Sequence, residues 1–497
     1  MHVRLPVLRS SGWFWVSLTG VLLLSRLCHV NILWSDEDYH LAAAVQMLHG
    51  RMLYRDLWYD KPPLTALVAA LFGAWSGWPL RIAGTVIAAA SCAVAYRFSS
   101  GLWSRREGYW AAGLLAFSLI FYLPFSTIPL EPDTLMILPH VAAVYLAWRQ
   151  KPLAAGLAAG LAFAMNIKGL AVLLACLIFL PAAWPVFAAW MLAGFLIPNA
   201  LLLGWIVSQH AFSAYVESVW RWGLLYAGAP PDALPGGSAL MSVRNWSGFH
   251  AALVVAAAWY WVRTKETRVR AQTLAWAIVS LAAAGVGWRF SPHYLNQVLP
   301  PLAIAGARGV FVLSTETRIP LRRIGTIAMI AAALVAMVRF GPRYFLLAAD
   351  DLVGRPHAWR DVALDQESRQ ASALIRTLAR EGDTIFIWGY RPNIVVYTRL
   401  PVASRMWESQ PLTGVPADRH LRESGSVDPD WARQNRAELL RSSLLSPPSI
   451  VVDGLSAYNP RLDIGSYPDL AAWFQRYCLA GRVGLTSVYQ LCARAAP

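Results

Sequence analysis

The sequence predicts an α-helical polytopic membrane protein that ends in a small α/β domain, and three observations carry that reading. Of the 497 residues, 57% are hydrophobic and only 14% charged, whereas a soluble chain of this size carries about a quarter charged residues. Apolar stretches near the spanning length of about 20 residues recur from Trp13 to Phe340. From about Tyr344 the long apolar runs stop and short alternating segments begin.

The charge pattern orients the spans. A net charge of +15 suits a nucleic-acid binder, but its distribution excludes that partner. Residues 1–344 hold 26 Lys or Arg against 12 Asp or Glu, and residues 345–497 hold 17 against 16. The excess clusters in short loops: Arg4 and Arg9; Arg105 and Arg106; Arg149 and Lys151; Arg263, Lys265, Arg268 and Arg270; Arg318, Arg322 and Arg323. The positive-inside rule places such loops in the cytoplasm. Span 1 (about 12–33) therefore delivers the acidic segment after it to the outside. If both 64–78 and 81–98 crossed, the basic loop at 103–106 would land outside, which basic loops resist. Segment 64–78 is expected instead as an outer juxtamembrane helix, with 81–98 as span 2. Further spans fall near 108–125, 131–148, 153–168, 169–184, 186–208, 248–263, 271–288, 295–313 and 324–341, about eleven in all. The expected domains are a transmembrane part over 1–343 and an extracytoplasmic α/β part over 344–497.

This topology sorts the acids. Asp36, Glu37, Asp38, Asp56, Asp60, Glu131, Asp133, Glu217 and Asp232 fall outside. Glu107, Glu266 and Glu316 fall inside near basic residues and read as solvated loop charges. Five outer carboxylates and Lys61 lie within residues 35–64, SDEDYHLAAAVQMLHGRMLYRDLWYDKPPL. Acids held at a membrane boundary usually mark a functional site, so this segment points to chemistry on a charged, lipid-borne substrate.

In the last third, residues 365–380 have helical spacing, with Leu374, Ile375 and Leu378 on one stripe. Residues 384–388 and 448–452 read as buried strands, 470–476 as a helix and 477–491 as a hairpin. Cys478 and Cys492 flank that hairpin in a compartment placed outside, where disulfides persist. A disulfide between them is expected, with two reduced thiols packed as small apolar residues as the alternative. Cys28, Cys92 and Cys176 fall in spans as small hydrophobes.

Asp36 and Glu37 after span 1, followed by Gly50, Tyr54, Asp56, Lys61, Pro62 and Pro63, resemble the first outer loop of GT-C superfamily membrane glycosyltransferases. The similarity is to bacterial relatives of protein O-mannosyltransferases and lipid A aminoarabinose transferases. It continues at Glu131, Pro132 and Asp133, at Ile167, Lys168 and Gly169, and at Ser291, Pro292, His293 and Tyr294 with Leu299, Pro300 and Pro301, so it covers nearly the whole chain. The resemblance implies an inverting, polyprenyl-phosphate-sugar-dependent glycosyltransferase of the bacterial cytoplasmic (inner) membrane. Its carboxyl-terminal domain would lie outside, or in the periplasm, and its acceptor would be an envelope glycan, lipid or protein. Such chemistry needs a carboxylate to take the acceptor's proton and cations where charge develops on the leaving phosphate. Asp36 is the expected base, Glu37 its orienting or acceptor-binding neighbour, and Glu131 or Asp133 the second acidic site residue. Lys61, Lys168, His293 and Tyr294 are the expected donor-phosphate ligands. No cofactor is required; paired acids admit a divalent cation, but no ligand set has diagnostic spacing and the metal stays unknown.

Each assignment has a structural rival. Asp36 and Glu37 could cap the helix expected over 37–49, Glu131 and Asp133 could cap span 4, Lys168 could snorkel, and His293 and Tyr294 could anchor at the interface. His140 reads as a packed core histidine. The Pro- and Gly-rich loop 226–238 is either a flap over the site or a passive connector. For the whole chain the alternatives are a transporter or flippase of lipid-linked glycans, and a non-catalytic envelope assembly protein. A transporter should show broken helices in repeated halves with charges at the midplane, whereas this sequence concentrates acids in one outer loop and shows no repeated halves. The topology predicts that a cysteine placed at position 104 reacts with impermeant thiol reagents only from the cytoplasmic side, and one at 60 or 232 only from outside. Outside labelling at 104 would contradict it.

Overall fold

The computed structural model describes residues 7–180, 184–228 and 237–495. Among them, four helices are long and apolar enough to cross a membrane: Trp78–Leu102, Pro185–Ser208, Pro292–Ser314 and Ile319–Val353. Shorter apolar helices, Gly12–Leu27, Pro152–Met165, Ile167–Leu177 and Ala251–Arg263, fall on further expected spans. In segment 64–78 the helix Leu64–Leu71 has eight residues, a rise of about 12 Å against a hydrocarbon core of about 30 Å. It ends where Gly73, Ala74 and Gly77 adopt positive φ. The expected span 324–341 is part of a 35-residue helix, Ile319–Val353. Pro342 does not end it, because Leu346, Leu347, Ala348 and Ala349 are strong helix formers, and Gly354 closes it in the left-handed conformation.

The chain folds into two compact units that interleave in sequence. One comprises Met1–Asn31, Gly77–Leu201 and Ala233–Pro356; the other comprises Ile32–Ser76, Leu202–Asp232 and His357–Pro497.

The first unit is a helical bundle held by close backbone approach. A Cβ at Gly309 would lie 1.7 Å from the Ala256 carbonyl oxygen, and one at Gly156 would lie 1.9 Å from that of Met191. Only glycine lets these helices meet, as expected where dispersion rather than water drives association. Inside the bundle Trp276 Nε1 donates to His140 Nε2 at 2.8 Å, so His140 is the core histidine expected. Glu107 departs from its reading as a solvated charge. It is buried and pairs with Arg308 Nη1 at 2.7 Å, and the same guanidinium reaches Glu266. Arg308 lies far away in sequence, in a run read simply as span 10.

The second unit contains a four-stranded sheet in the order β1-β2-β4-β3. β1 (Ile385–Trp388) and β2 (Ile450–Asp453) pair in parallel and are buried throughout. That explains their unbroken apolar runs. β3 (Tyr477–Val483) and β4 (Thr486–Leu491) form the hairpin, and β4 pairs antiparallel with β2. The helix Ala363–Leu378 buries Asp365, Ser368, Ala371, Ser372 and Ile375. Of the apolar stripe expected from sequence, only Ile375 is fully buried; polar neighbours satisfy the rest of the inner face. One such neighbour is Asp365, which accepts from Leu33 N at 3.2 Å and Tyr397 Oη at 2.6 Å.

Cys478 and Cys492 form a disulfide with Cα atoms 4.9 Å apart. Peptide mapping without reductant is expected to recover the two cysteines as one linked pair. In the chain-entropy model, closing a loop of about 15 residues is worth roughly 3 kcal/mol, so reduction should lower the thermal midpoint. Recovery of both as free thiols would contradict the structure.

Candidate active site

The site residues expected from sequence divide between the two units. Asp36, Glu37 and Lys61 lie in the second, on the loop Ile32–Ser76; Glu131, Asp133, Lys168, His293 and Tyr294 lie in the first.

On the loop, the helix Glu37–Leu48 is buried from Glu37 through Gln46, with Ala42, Ala43 and Ala44 permitting close contact. Asp36 stands at its N-cap position with φ 72° and ψ −50°, and its side chain makes no capping hydrogen bond. A non-glycine residue in such a conformation costs of order 1–3 kcal/mol. The capping role does not account for it, and Asp36 is exposed. Glu37 is buried and its Oε1 accepts from Trp34 N at 3.4 Å, which ties it to the backbone ahead of Asp36.

Lys61 follows a turn built by its neighbours. Arg55 grips Asp56 with two bonds of 2.8 Å, Asp56 also accepts from Met52 N at 3.0 Å, and Tyr54 Oη donates to the Lys61 carbonyl at 2.9 Å. Asp56 is therefore committed to the turn. The Lys61 Nζ lies 3.0 Å from Asp60 Oδ2, with the lysine side chain 43% exposed and the aspartate 8%. The exposed part of the ammonium is open to a second anion. The Tyr226 ring centroid lies 6.0 Å away; residues 229–236 of the loop beyond it lie outside the described residues.

In the first unit, Lys168 does not snorkel. Its Nζ is buried, 2.8 Å from the Tyr294 ring centroid and 3.8 Å from Asp133 Oδ1. The turn Ile167–Gly169 holds it there, capped by Asn166, whose Oδ1 accepts from Lys168 N at 3.1 Å. Gln297 Nε2 donates to Asp133 Oδ1 at 3.0 Å, and Thr134 Oγ1 donates to Glu131 Oε1 at 3.3 Å. His293 Nε2 lies 3.8 Å from Glu131 Oε2. The two acids thus have different surroundings: Asp133 faces the ammonium and Glu131 the imidazole. All five expected residues of this unit meet in one cluster, which replaces the interfacial-anchor reading of His293 and Tyr294.

Sequence reasoning passed over Gln297 and Asp38. Gln297 lay three residues beyond the motif at residues 291–294 already noted. Asp38 begins the apolar stretch that runs from Tyr39, so its burial was legible.

The fold is that seen in GT-C membrane glycosyltransferases, and four of the described helices are long and apolar enough to cross a membrane. It is similar over its length to ArnT from Cupriavidus metallidurans. The structure bound to undecaprenyl phosphate superposes at TM-score 0.58 and 15% identity, covering 98% of this chain and 99% of that one. The apo structure gives TM-score 0.61 at 13% identity, with the same coverage. The archaeal oligosaccharyltransferase AglB from Archaeoglobus fulgidus, in complex with an inhibitory peptide and a dolichol-phosphate, gives TM-score 0.50 at 12% identity, over 98% of this chain and 75% of that one. The sequence profile of the dolichyl-phosphate-mannose-protein mannosyltransferase family matches residues 60–207. No curated protein sequence matches significantly. These findings bear out the resemblance carried by the motifs from Asp36 to Tyr294.

Burial pushes the Asp38 carboxyl well above the usual carboxylate range, and the neighbouring charges of Asp36, Asp365 and Glu37 push the same way. The folded state thus holds this proton at pH values where the unfolded chain releases it. That contribution to stability is complete at acid pH and declines as pH rises toward the raised folded value. Asp38→Asn, which stays neutral, is expected to raise the thermal midpoint relative to the parent at pH 7 and to leave it nearly unchanged near pH 4. Equal loss at both pH values would contradict the argument.

Proposed function

We propose that this chain transfers a sugar from a polyprenyl-phosphate donor to an envelope glycan, lipid or protein on the outer face of the bacterial cytoplasmic membrane, inverting the anomeric carbon. The observation that carries the reading is the loop Ile32–Ser76. Within a largely buried, aromatic surround it leaves the Asp36 carboxylate exposed and the Lys61 ammonium nearly half exposed. The undecaprenyl phosphate bound to ArnT and the dolichol-phosphate bound to AglB support a donor of that class.

In this reading the acceptor oxygen attacks the anomeric carbon while the bond from that carbon to the phosphate oxygen breaks. The electron pair leaves with the polyprenyl phosphate, and the acceptor's proton passes to Asp36. Lys61 meets the charge that develops on the phosphate; a compact ammonium suits an anion that must also leave. Glu37 holds the backbone ahead of the base. Within the first unit, Lys168, His293 and Tyr294 are the further residues assigned to phosphate, with Asp133 and Glu131 as the second acidic candidates. About eleven spans, with the α/β domain outside, complete the proposal and rest on the positive-inside rule. A flippase is less well supported, since it leaves the strained Asp36 without a task.

Purified full-length protein with Asp36→Asn is expected to lose transfer by more than about a hundredfold while still binding polyprenyl phosphate; general-base contributions run from roughly 10²- to 10⁴-fold. Lys61→Ala removes a charge-assisted contact of about 1.5–3 kcal/mol, roughly a ten- to hundredfold loss in kcat/KM expressed mainly in the donor. Full activity in Asp36→Asn would sink the catalytic assignment, and an unchanged donor response in Lys61→Ala would remove Lys61 from the site.

A further inference from the structure

Gln297 belongs to none of the motifs and has no step in the mechanism above, yet it is buried against one of the two candidate acids. It lies on the 3₁₀ turn Pro292–Val298, which a proline opens. Asn296 Nδ2 pins that turn by donating to the Ser126 carbonyl at 2.7 Å. In a 3₁₀ turn, side chains three residues apart lie on the same side, so Tyr294 and Gln297 face the same way. One turn thereby sets the Tyr294 ring against the Lys168 ammonium and the Gln297 amide against the Asp133 carboxylate.

The same oxygen of Asp133 serves both partners. Oδ1 accepts from Gln297 Nε2 at 3.0 Å and lies 3.8 Å from Lys168 Nζ. The first contact is a hydrogen bond; the second is longer than the roughly 2.7–2.9 Å of a closed ammonium–carboxylate bond. A carboxylate only accepts, so the amino group of Gln297 must be the part that faces it. The Lys168 backbone is fixed from its own side, where its N donates to the Asn166 side chain at 3.1 Å. The ion pair therefore stands open, with the ammonium 2.8 Å from the Tyr294 ring centroid. A carboxylate closed on a buried ammonium cancels most of its field, whereas one held at a distance leaves more of it for another anion.

We propose that Gln297 is a positioning residue of the donor site, holding Asp133 back from Lys168 so that the ammonium can meet the phosphate of a lipid donor. The inference rests on the reading of Lys168 as a donor-phosphate ligand.

The test is binding of a polyprenyl phosphate lacking sugar to the full-length protein in nanodiscs, run as a double-mutant cycle at Gln297 and Asp133. Gln297→Met keeps the length of the side chain and removes its donor, so Asp133 closes on Lys168. That variant, checked for folding by its thermal midpoint, is expected to bind at least about tenfold more weakly than the parent. With Asp133→Asn in place there is no carboxylate to close, and adding Gln297→Met is expected to change affinity by less than about twofold. A role in packing alone would weaken binding by the same factor in both backgrounds. If Gln297→Met does not fold, Gln297→Asn, whose shorter side chain draws the amide back from Asp133, replaces it in both. Gln297→Met binding like the parent, or an equal loss in both backgrounds, overturns this inference alone. Lys168→Ala binding polyprenyl phosphate as the parent does overturns the reading of Lys168, and this inference with it.

Discussion

The Gln46 side chain, fully buried, donates through Nε2 to the Leu400 carbonyl at 3.0 Å and accepts from Val402 N at 2.9 Å. One amide thus closes the edge of a distant backbone segment onto the helix Glu37–Leu48. The neighbouring bonds repeat the pattern: His49 Nε2 donates to the Arg399 carbonyl at 2.8 Å, Arg51 Nη2 to that of Val402 at 2.6 Å, and Arg405 Nε to that of Tyr54 at 2.8 Å. Buried backbone groups must be paired, and here the acidic loop pairs with residues 399–405. The exposed Asp36 and the accessible Lys61 both depend on this seam, because it fastens the loop that carries them to the tail.

The seam also explains why the compact units cut across chain order. Residues 32–76 belong with residues 357–497 because the loop's polar side chains are addressed to backbone groups of the tail. Asp365 extends the same logic, binding Leu33 N from the start of the loop, Asn393 Nδ2 at 3.2 Å and Tyr397 Oη around one buried carboxylate. Removing a partner from such a group leaves the others unpaired, at about 1–3 kcal/mol each. Polar pairing, rather than apolar area alone, specifies this unit.

Much of this was legible in the sequence, for identifiable reasons. Loop charges argued against a crossing in 64–78, because basic residues oppose translocation whatever the hydropathy of the segment; the helix there, Leu64–Leu71, is too short to span and stops earlier than expected. The strands Ile385–Trp388 and Ile450–Asp453 stood out as unbroken apolar runs, and the hairpin as alternation around a glycine turn. Glu131, Asp133, Lys168, His293 and Tyr294 were identified through a resemblance, and three separated stretches do converge. The inner face of helix Ala363–Leu378 was misjudged because Asp365 and Ser368 find buried partners far along the chain. Glu107 was misread for the same reason, its partner being Arg308.

The central claim is that the chain moves one sugar from a lipid phosphate to an envelope acceptor. Mass spectrometry of envelope glycolipids and glycans tests it most directly, comparing the producing organism with a strain that lacks this protein and with one complemented by Asp36→Asn. The account predicts one sugar missing from one envelope component in the deletion strain, its polyprenyl-phosphate precursor retained or accumulated, and no restoration by Asp36→Asn. An unaltered envelope profile, or full restoration by Asp36→Asn, would contradict it.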